Sequence, residues 1–339
     1  MKFDFVIGNP PYQENSNGAN ESDTPLYHYF YQESFKIADK VELITPARFL
    51  FRAGYTPKDW NEKMLYDKHF KVLYYEPKSN KIFTNTDIKG GVAITYRDNQ
   101  KDFGAIEVFT AYPELNTIKN KVDLKSNKSL CEIITNRGLY RYSDLAYKEQ
   151  PEEMKKTADR RIAPSAFERM PKLFTIEKPN DNNEYIQIYG NIKSQRSYRW
   201  FRKDYLAPVE NLYKYKVMIP KANGSGAIGE VLSTPLVGVP LVGFTETYIS
   251  IGETDNPNEA EAILKYIKSK FARTMLGILK VTQNNAKPTW AKVPLQDFTD
   301  KSDIDWSKSI HEIDLQLYKK YGLDETEIQF IETHVKEMN

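Results

Sequence analysis

Cysteine is all but missing from this sequence: Cys131 stands alone among 339 residues. That excludes a disulfide framework and points to a reducing, cytoplasmic setting. Histidine is scarce as well. His28, His69, His311 and His334 fall at no ligand spacing with one another or with the cysteine, so no structural or catalytic metal is expected. No apolar run approaches the ~20 residues of a membrane helix. The opening string MKFDFVIGNPPY also lacks the basic, apolar, small-residue order of a secretion signal. Net charge is slight, +2 from 48 basic and 46 acidic residues. Any attraction to nucleic acid must therefore come from local clustering.

Clustering is what the sequence has. Between Gly190 and Ala222, eight basic residues stand against Asp204 and Glu210, whereas from Asp297 onward 11 acids face 5 lysines. Aromatic residues reach 13%, with 23 Tyr and 17 Phe, but tyrosine is also an ordinary half-buried core residue.

The first ~100 residues alternate between strand and helix patterns. FDFVIG (Phe3–Gly8) is an apolar run cut short by Asn-Pro-Pro, as a buried parallel strand would be. Thr24-Pro25 has the N-cap and first-position chemistry of a helix start, and Thr56-Pro57 repeats it. VELITP, FKVLYYE and GGVAITYR read as further strands. A mostly parallel sheet with helices on both faces is expected, the last pair being close enough to be antiparallel. After Phe109 the segments shorten and fill with Gly and Pro, as in KANGSGAIGE and STPLVGVPLVGF. Glu259–Leu279 has helical spacing throughout, and two short acidic helices end the chain. The expected division is 1–109, 110–298 and 299–339.

The strongest signal is Asn9-Pro10-Pro11-Tyr12, directly after a strand. In open α/β sheets ligands sit beyond the carboxyl ends of the strands. Two oxygen acceptors, the Asn9 side chain and the Pro10 carbonyl, suit an exocyclic amine whose lone pair is delocalised into a ring, as in adenine. Binding both N–H groups draws that nitrogen toward tetrahedral geometry. The prolines stiffen the turn, and Tyr12 offers a plate for a base lifted out of a duplex.

This tetrapeptide resembles motif IV, (D/N/S)-P-P-(Y/F), of amino-methyltransferases. The chain as a whole resembles the Eco57I-type gamma class of adenine-N6 DNA methyltransferases from restriction–modification systems. Asp23-Thr24-Pro25-Leu26-Tyr27 resembles motif V, VELITPARFL motif VI, and KSNKIFTNTDIKGGVAITYR motif VIII. The resemblance implies transfer of a methyl group from S-adenosylmethionine to a flipped-out adenine, with Phe83 as a second stacking face. The glycine-rich donor motif of this family precedes motif IV, and no such sequence occurs before Asn9. The expected fold is therefore α/β: the C-terminal half of a Rossmann-like methyltransferase sheet followed by an α+β target-recognition domain. Donor binding is expected from an N-terminal region or partner chain, with very weak affinity in this chain alone.

GNIKSQRSYRWFRKDYLAP interleaves cations with rings. Lys193, Arg196, Arg199, Trp200, Arg202, Lys203 and Lys221 are the candidate contacts to double-stranded DNA; an amphipathic strand with a solvated basic face is the plainer reading. KVMIP, GSGAIG, KSKFART and WAKVPLQDF resemble the target-recognition region of the same enzymes. Asn284, Asn285, Lys287 and Trp290 could also face DNA. Two other functions compete: a non-enzymatic specificity module, and methylation of a protein glutamine or an RNA, whose enzymes share the tetrapeptide. The basic region downstream favours DNA.

Overall fold

FDFVIG does form the first strand, β1 (Phe3–Gly8), and its position explains the layout of everything around the tetrapeptide. The computed structural model describes residues 3–14, 24–53, 55–84, 86, 88, 90–224, 226–280 and 283–338. The chain divides into two units, Met1–Asn116 and Thr117–Asn339.

In the first unit, β1 is followed by α1 (Tyr27–Ile37), β2 (Ala38–Pro46), α2 (Lys58–Tyr66), β3 (Phe70–Glu76) and β4 (Val92–Asp98). The sheet order is β1-β2-β4-β3. β1 pairs with β2 in parallel, which requires a crossover, and α1 supplies it. β4 instead turns back from β3 and inserts between β3 and β2, antiparallel to both. The expectation of a mostly parallel sheet is thus corrected: one pairing of three is parallel. The strand periodicities were sound, but they carry no information on direction.

Thr24-Pro25 does not open α1. Pro25 forms a bridge with Gln13, and the helix begins at Tyr27 after an uncapped Leu26. Both α1 and α2 contribute to a single core against the sheet, in which Tyr31, Phe49, Trp60 and Phe70 are at most 4% exposed. Each such ring contributes roughly 1.5–3 kcal/mol by leaving water. The Tyr31 hydroxyl meets Thr45 Oγ1 at 3.1 Å and Thr95 Oγ1 at 2.5 Å, tying the helix to β2 and β4. The opposite side of β1 is different. Phe3, Phe5 and Ile7 alternate onto the other face, where they are 47%, 44% and 73% exposed, so among the described residues no helix covers that face of β1.

The second unit opens in α3 (Pro113–Lys125), within which the division falls. Short helices α4 (Asp144–Glu149), α5 (Pro151–Met154) and α6 (Ala166–Arg169) follow. The hairpin β5 (Tyr185–Ile192) and β6 (Gln195–Arg202) is joined in parallel by β9 (Val242–Phe244). β7 (Tyr215–Pro220) pairs antiparallel with both β8 (Leu236–Gly238) and β10 (Tyr248–Thr254). This unit is therefore a set of small mixed sheets with helices around them.

The helix expected over Glu259–Leu279 is two helices, α7 (Pro257–Lys268) and α8 (Lys270–Gly277). Ser269 adopts extended geometry between them and accepts from the Ala272 N–H, so it caps the second helix. Apolar spacing continues across the break, which hides it in the sequence. The chain ends in α9 (Ile310–Tyr321) and α10 (Glu325–His334). Among the described residues, no helix is long and apolar enough to cross a membrane, and no cluster of His, Cys, Asp and Glu could hold a metal.

Candidate active site and nucleic-acid surface

Asn9 is the first residue beyond β1. It is exposed, while Pro10 behind it is buried. Chain 12–14 then runs antiparallel to chain 24–26: the Leu26 N–H donates to the Tyr12 carbonyl and the Glu14 N–H to the Thr24 carbonyl, both at 3.0 Å. The tetrapeptide is held at both ends, by a strand before it and this short ladder after it. Asp23, of the motif V resemblance, lies outside the described residues.

A cavity of about 560 Å³ opens beside the turn, lined by Asn9, Pro11 and Tyr12 on one wall. Tyr27 (α1) and Arg48, just after β2, line a second wall; Phe83, Thr86 and Ile88 of the β3–β4 connection line a third. That connection is organised by Ser79, only 3% exposed. Its hydroxyl donates to the Thr86 carbonyl and accepts from the Ile88 N–H, and its carbonyl accepts from the Phe83 N–H. The Tyr12 and Phe83 rings lie 6.4 Å apart at 62°. A base between two plates needs about twice the ~3.5 Å contact distance. The gap is nearly right, and the angle must close for both faces to stack.

The Asn9 side chain makes no hydrogen bond to another described residue, so its amide is available to the cavity. The Tyr12 hydroxyl is buried with no partner, and burial pushes its pKa up to about 12. Tyr27 is likewise pushed up to about 12 by burial, against the opposing effects of a Thr56 hydrogen bond and the Arg48 charge. Both phenols stay neutral. Arg48 is the one charged side chain among the described lining residues. It lies against Gly90, whose φ is +87°, and a β-carbon there would come within 2.8 Å of Arg48 Cγ.

Tyr27 and Arg48 fall in the segments that resemble motifs V and VI, but neither was given a role from the sequence. The available signal was their position: both sit where a helix begins or a strand ends on the carboxyl side of the sheet.

Among the described residues lining the cavity there is no carboxylate and no glycine turn. One side of β1 is paired with β2, and among the described residues no strand pairs with the other.

In the second unit the basic segment is spread over both faces of β6. Lys193 is in the two-residue hairpin turn with Ser194, both at positive φ. Arg196 donates to the carbonyls of Thr234 and Ser233 at 2.8 and 2.7 Å. Arg202 pairs with Glu149 and Asp204, and Lys203 with Glu184, at 2.7–2.8 Å. Arg199 projects to the opposite face, over the Phe167 ring. Trp200 is half-buried, its backbone paired in both directions with Thr175, and Lys178 lies over its ring. Lys221 lines a separate cavity of about 740 Å³ with Lys287 and Asn284. The expectation for Asn285 and Trp290 is corrected: they are 1% and 0% exposed, because the one anchors to the Pro220 carbonyl and the other fills the core.

Residues 1–83, which include Asn9–Tyr12 and Phe83, match the family described as Eco57I restriction-modification methylase. A protein of Mycoplasma pneumoniae described as an uncharacterized adenine-specific methylase is 30% identical over 95 residues. That stretch is 27% of this chain and 22% of the relative, so the match spans about a fifth of its length. The type IIG restriction endonuclease BpuSI is similar over 93% of this chain and 48% of its own, at 9% identity and a TM-score of 0.33. The type IIL restriction-modification enzyme MmeI, in a structure with DNA, is similar over 97% and 56%, at 11% identity and a TM-score of 0.33. Likeness that loose carries no functional weight.

Proposed function

We propose that this chain is the acceptor half of an adenine-N6 DNA methyltransferase of a restriction–modification system. The observation that carries the proposal is an Asn9 amide without a partner among the described residues, next to the Tyr12 ring, at a cavity of about 560 Å³ that admits a nucleobase with room to spare. An extruded adenine stacks on Tyr12, with Phe83 rotating to cover its other face. The Asn9 side-chain oxygen and the Pro10 carbonyl accept the two amine hydrogens. The nitrogen pyramidalises and its lone pair is released from the ring; the two oxygens stabilise the positive charge that develops on the N–H groups as the new N–C bond forms, and the surplus proton then leaves to solvent. S-adenosylmethionine, when bound, supplies the electrophilic methyl group.

The donor's binding groups come from another segment, and the structural support is β1. Among the described residues no strand pairs with its outer side, which offers backbone N–H and C=O groups, while Phe3, Phe5 and Ile7 offer apolar surface. Both are liabilities that a further strand and its helix would remove. The sheet then continues past β1 into a Rossmann-like whole.

The test is Asn9→Ala in the enzyme completed by a donor-binding segment. Methyl transfer to an adenine-containing duplex should fall at least ~10²-fold, the scale of losing one oriented polar group at a reacting centre. Duplex binding should persist. Full turnover by the variant refutes the role given to Asn9. A second reading is a non-enzymatic specificity module, since no donor motif precedes Asn9 in the sequence given; recovery of transfer on adding a donor-binding segment excludes it. A requirement for duplex substrate excludes protein glutamine and RNA.

A further inference from the structure

We infer that the second unit grips DNA at the cavity lined by Arg137, Lys221 and Lys287, rather than along the basic hairpin strand. This rests on the DNA-methyltransferase reading above. The cations on β6 that dominate the sequence are largely spent within the fold. Arg202 and Lys203 are ion-paired with carboxylates, and Arg196 is clamped between two backbone carbonyls. A cation that already has a carboxylate partner gains little from a phosphate, because binding must first break the existing pair.

The cavity has the opposite balance. It encloses about 740 Å³, and its described lining contains three cations, the amide side chains Asn136, Gln283 and Asn284, and no carboxylate. Glu246 lies 3.6 Å from Arg137 but is engaged more closely by Arg161, at 2.9 Å.

The floor is rigid. The Asn223 N–H donates to the Gln283 carbonyl, and the Asn285 N–H to the Lys221 carbonyl, each at 2.8 Å. The Lys221 N–H donates to the Thr247 carbonyl at 2.9 Å. Two loops are thereby locked together, presenting Lys221 from one and Gln283, Asn284 and Lys287 from the other. Between two lining residues, the buried Asn285 keeps its Oδ1 without a hydrogen-bond partner.

Spaced cations without acids take successive phosphates of a DNA backbone. Amides beside them match the donor and acceptor pair that adenine presents in the major groove.

The experiment titrates the full chain with a fluorescent mixed-sequence DNA duplex over a range of salt concentrations. Wild type is compared with the triple variant Arg137→Ala, Lys221→Ala, Lys287→Ala, and with Lys193→Ala, Lys203→Ala on the hairpin. Each lost phosphate contact lowers the log–log salt slope by about 0.9, so the triple variant should bind with a slope shallower by up to about 3. The hairpin variant should keep the wild-type slope, and Lys221→Arg with Lys287→Arg should also keep it. Matching thermal midpoints show that the variants fold. An unchanged slope in the triple variant, or an equal loss in the hairpin variant, overturns this inference and leaves the proposed function standing. Failure of the wild-type chain to bind the duplex overturns it together with the DNA-recognition part of that function.

Discussion

Removing a hydroxyl from the Asn-Pro-Pro-Tyr tetrapeptide should make this protein more stable. The Tyr12 oxygen is shielded from solvent and has no hydrogen-bond partner among the described residues, so folding strips it of water without replacement. Such a group costs ~1–3 kcal/mol. The ring itself is kept by Tyr12→Phe: its stacking distance to Phe83, 6.4 Å, and the carbonyl that accepts from Leu26 do not depend on the oxygen. The variant should gain roughly 1–2 kcal/mol in urea unfolding, seen as a higher midpoint with an unchanged slope. In a completed enzyme it should retain methyl transfer, since the proposed role of Tyr12 is a stacking face. A variant less stable than wild type would mean that the hydroxyl has a partner, and the description of a desolvated, idle oxygen would be wrong. A stable variant without turnover would mean that the oxygen touches the reacting amine, and that Tyr12 does more than stack.

Other expectations follow from the same geometry. Gly91 has φ +75° and no space: a β-carbon would stand 2.3 Å from the Glu76 carbonyl oxygen. Gly91→Ala should therefore cost roughly 3 kcal/mol from left-handed strain and overpacking together, and a near-neutral variant in urea unfolding would contradict the packing. Burial pushes the Asp314 carboxyl up to about 6, despite N–H groups from Phe271 and Lys270 that favour its charged form. Its folded pKa lies above the unfolded value, so the stabilisation is complete below pH ~4 and is lost as pH rises toward ~6. The loss is about 3 kcal/mol at 1.36 per unit. Asp314→Asn should flatten that part of the stability–pH curve, and identical curves would refute it. Calorimetric titration of the chain alone should find no tight S-adenosylmethionine site; low-micromolar affinity would show that a donor cradle exists within it.

Much of the first unit was legible because its signals are local. A strand that stops at Asn-Pro-Pro, a loop aromatic before the strand that begins at Val92, and a second strand ending in Thr-Pro each depend on a few adjacent residues. These segments come together at one cavity because successive strands end at the same edge of the sheet. What the sequence withheld is set by pairing. The insertion of β4 between β2 and β3 depends on register over long separations, and period-two alternation is the same for either direction. Arg48 was invisible for the same reason: nothing near it in the chain indicates that Gly90, 42 residues on, leaves the space for its stem.

What a run of cations in the second unit can do depends on what the fold places beside each one, and the reason is general. Counting cations in a window treats each as available, but a positive side chain acts on a ligand only if the fold has not already neutralised it. From Lys193 to Lys203 the sequence holds Lys193, Arg196, Arg199, Arg202 and Lys203 with no acid among them. Glu149, Glu184 and Asp204 and the carbonyls of Ser233 and Thr234 engage Arg202, Lys203 and Arg196, so the window looks bare while the fold already holds three of its five cations. Lys221 and Lys287 lie 66 residues apart, each in an acid-free stretch, and the fold brings them to one cavity whose described wall holds no acid. The positive potential that a polyanion meets is fixed by which acids the fold brings near each cation. By that measure, two lysines and an arginine in a walled cavity outweigh five cations on a hairpin.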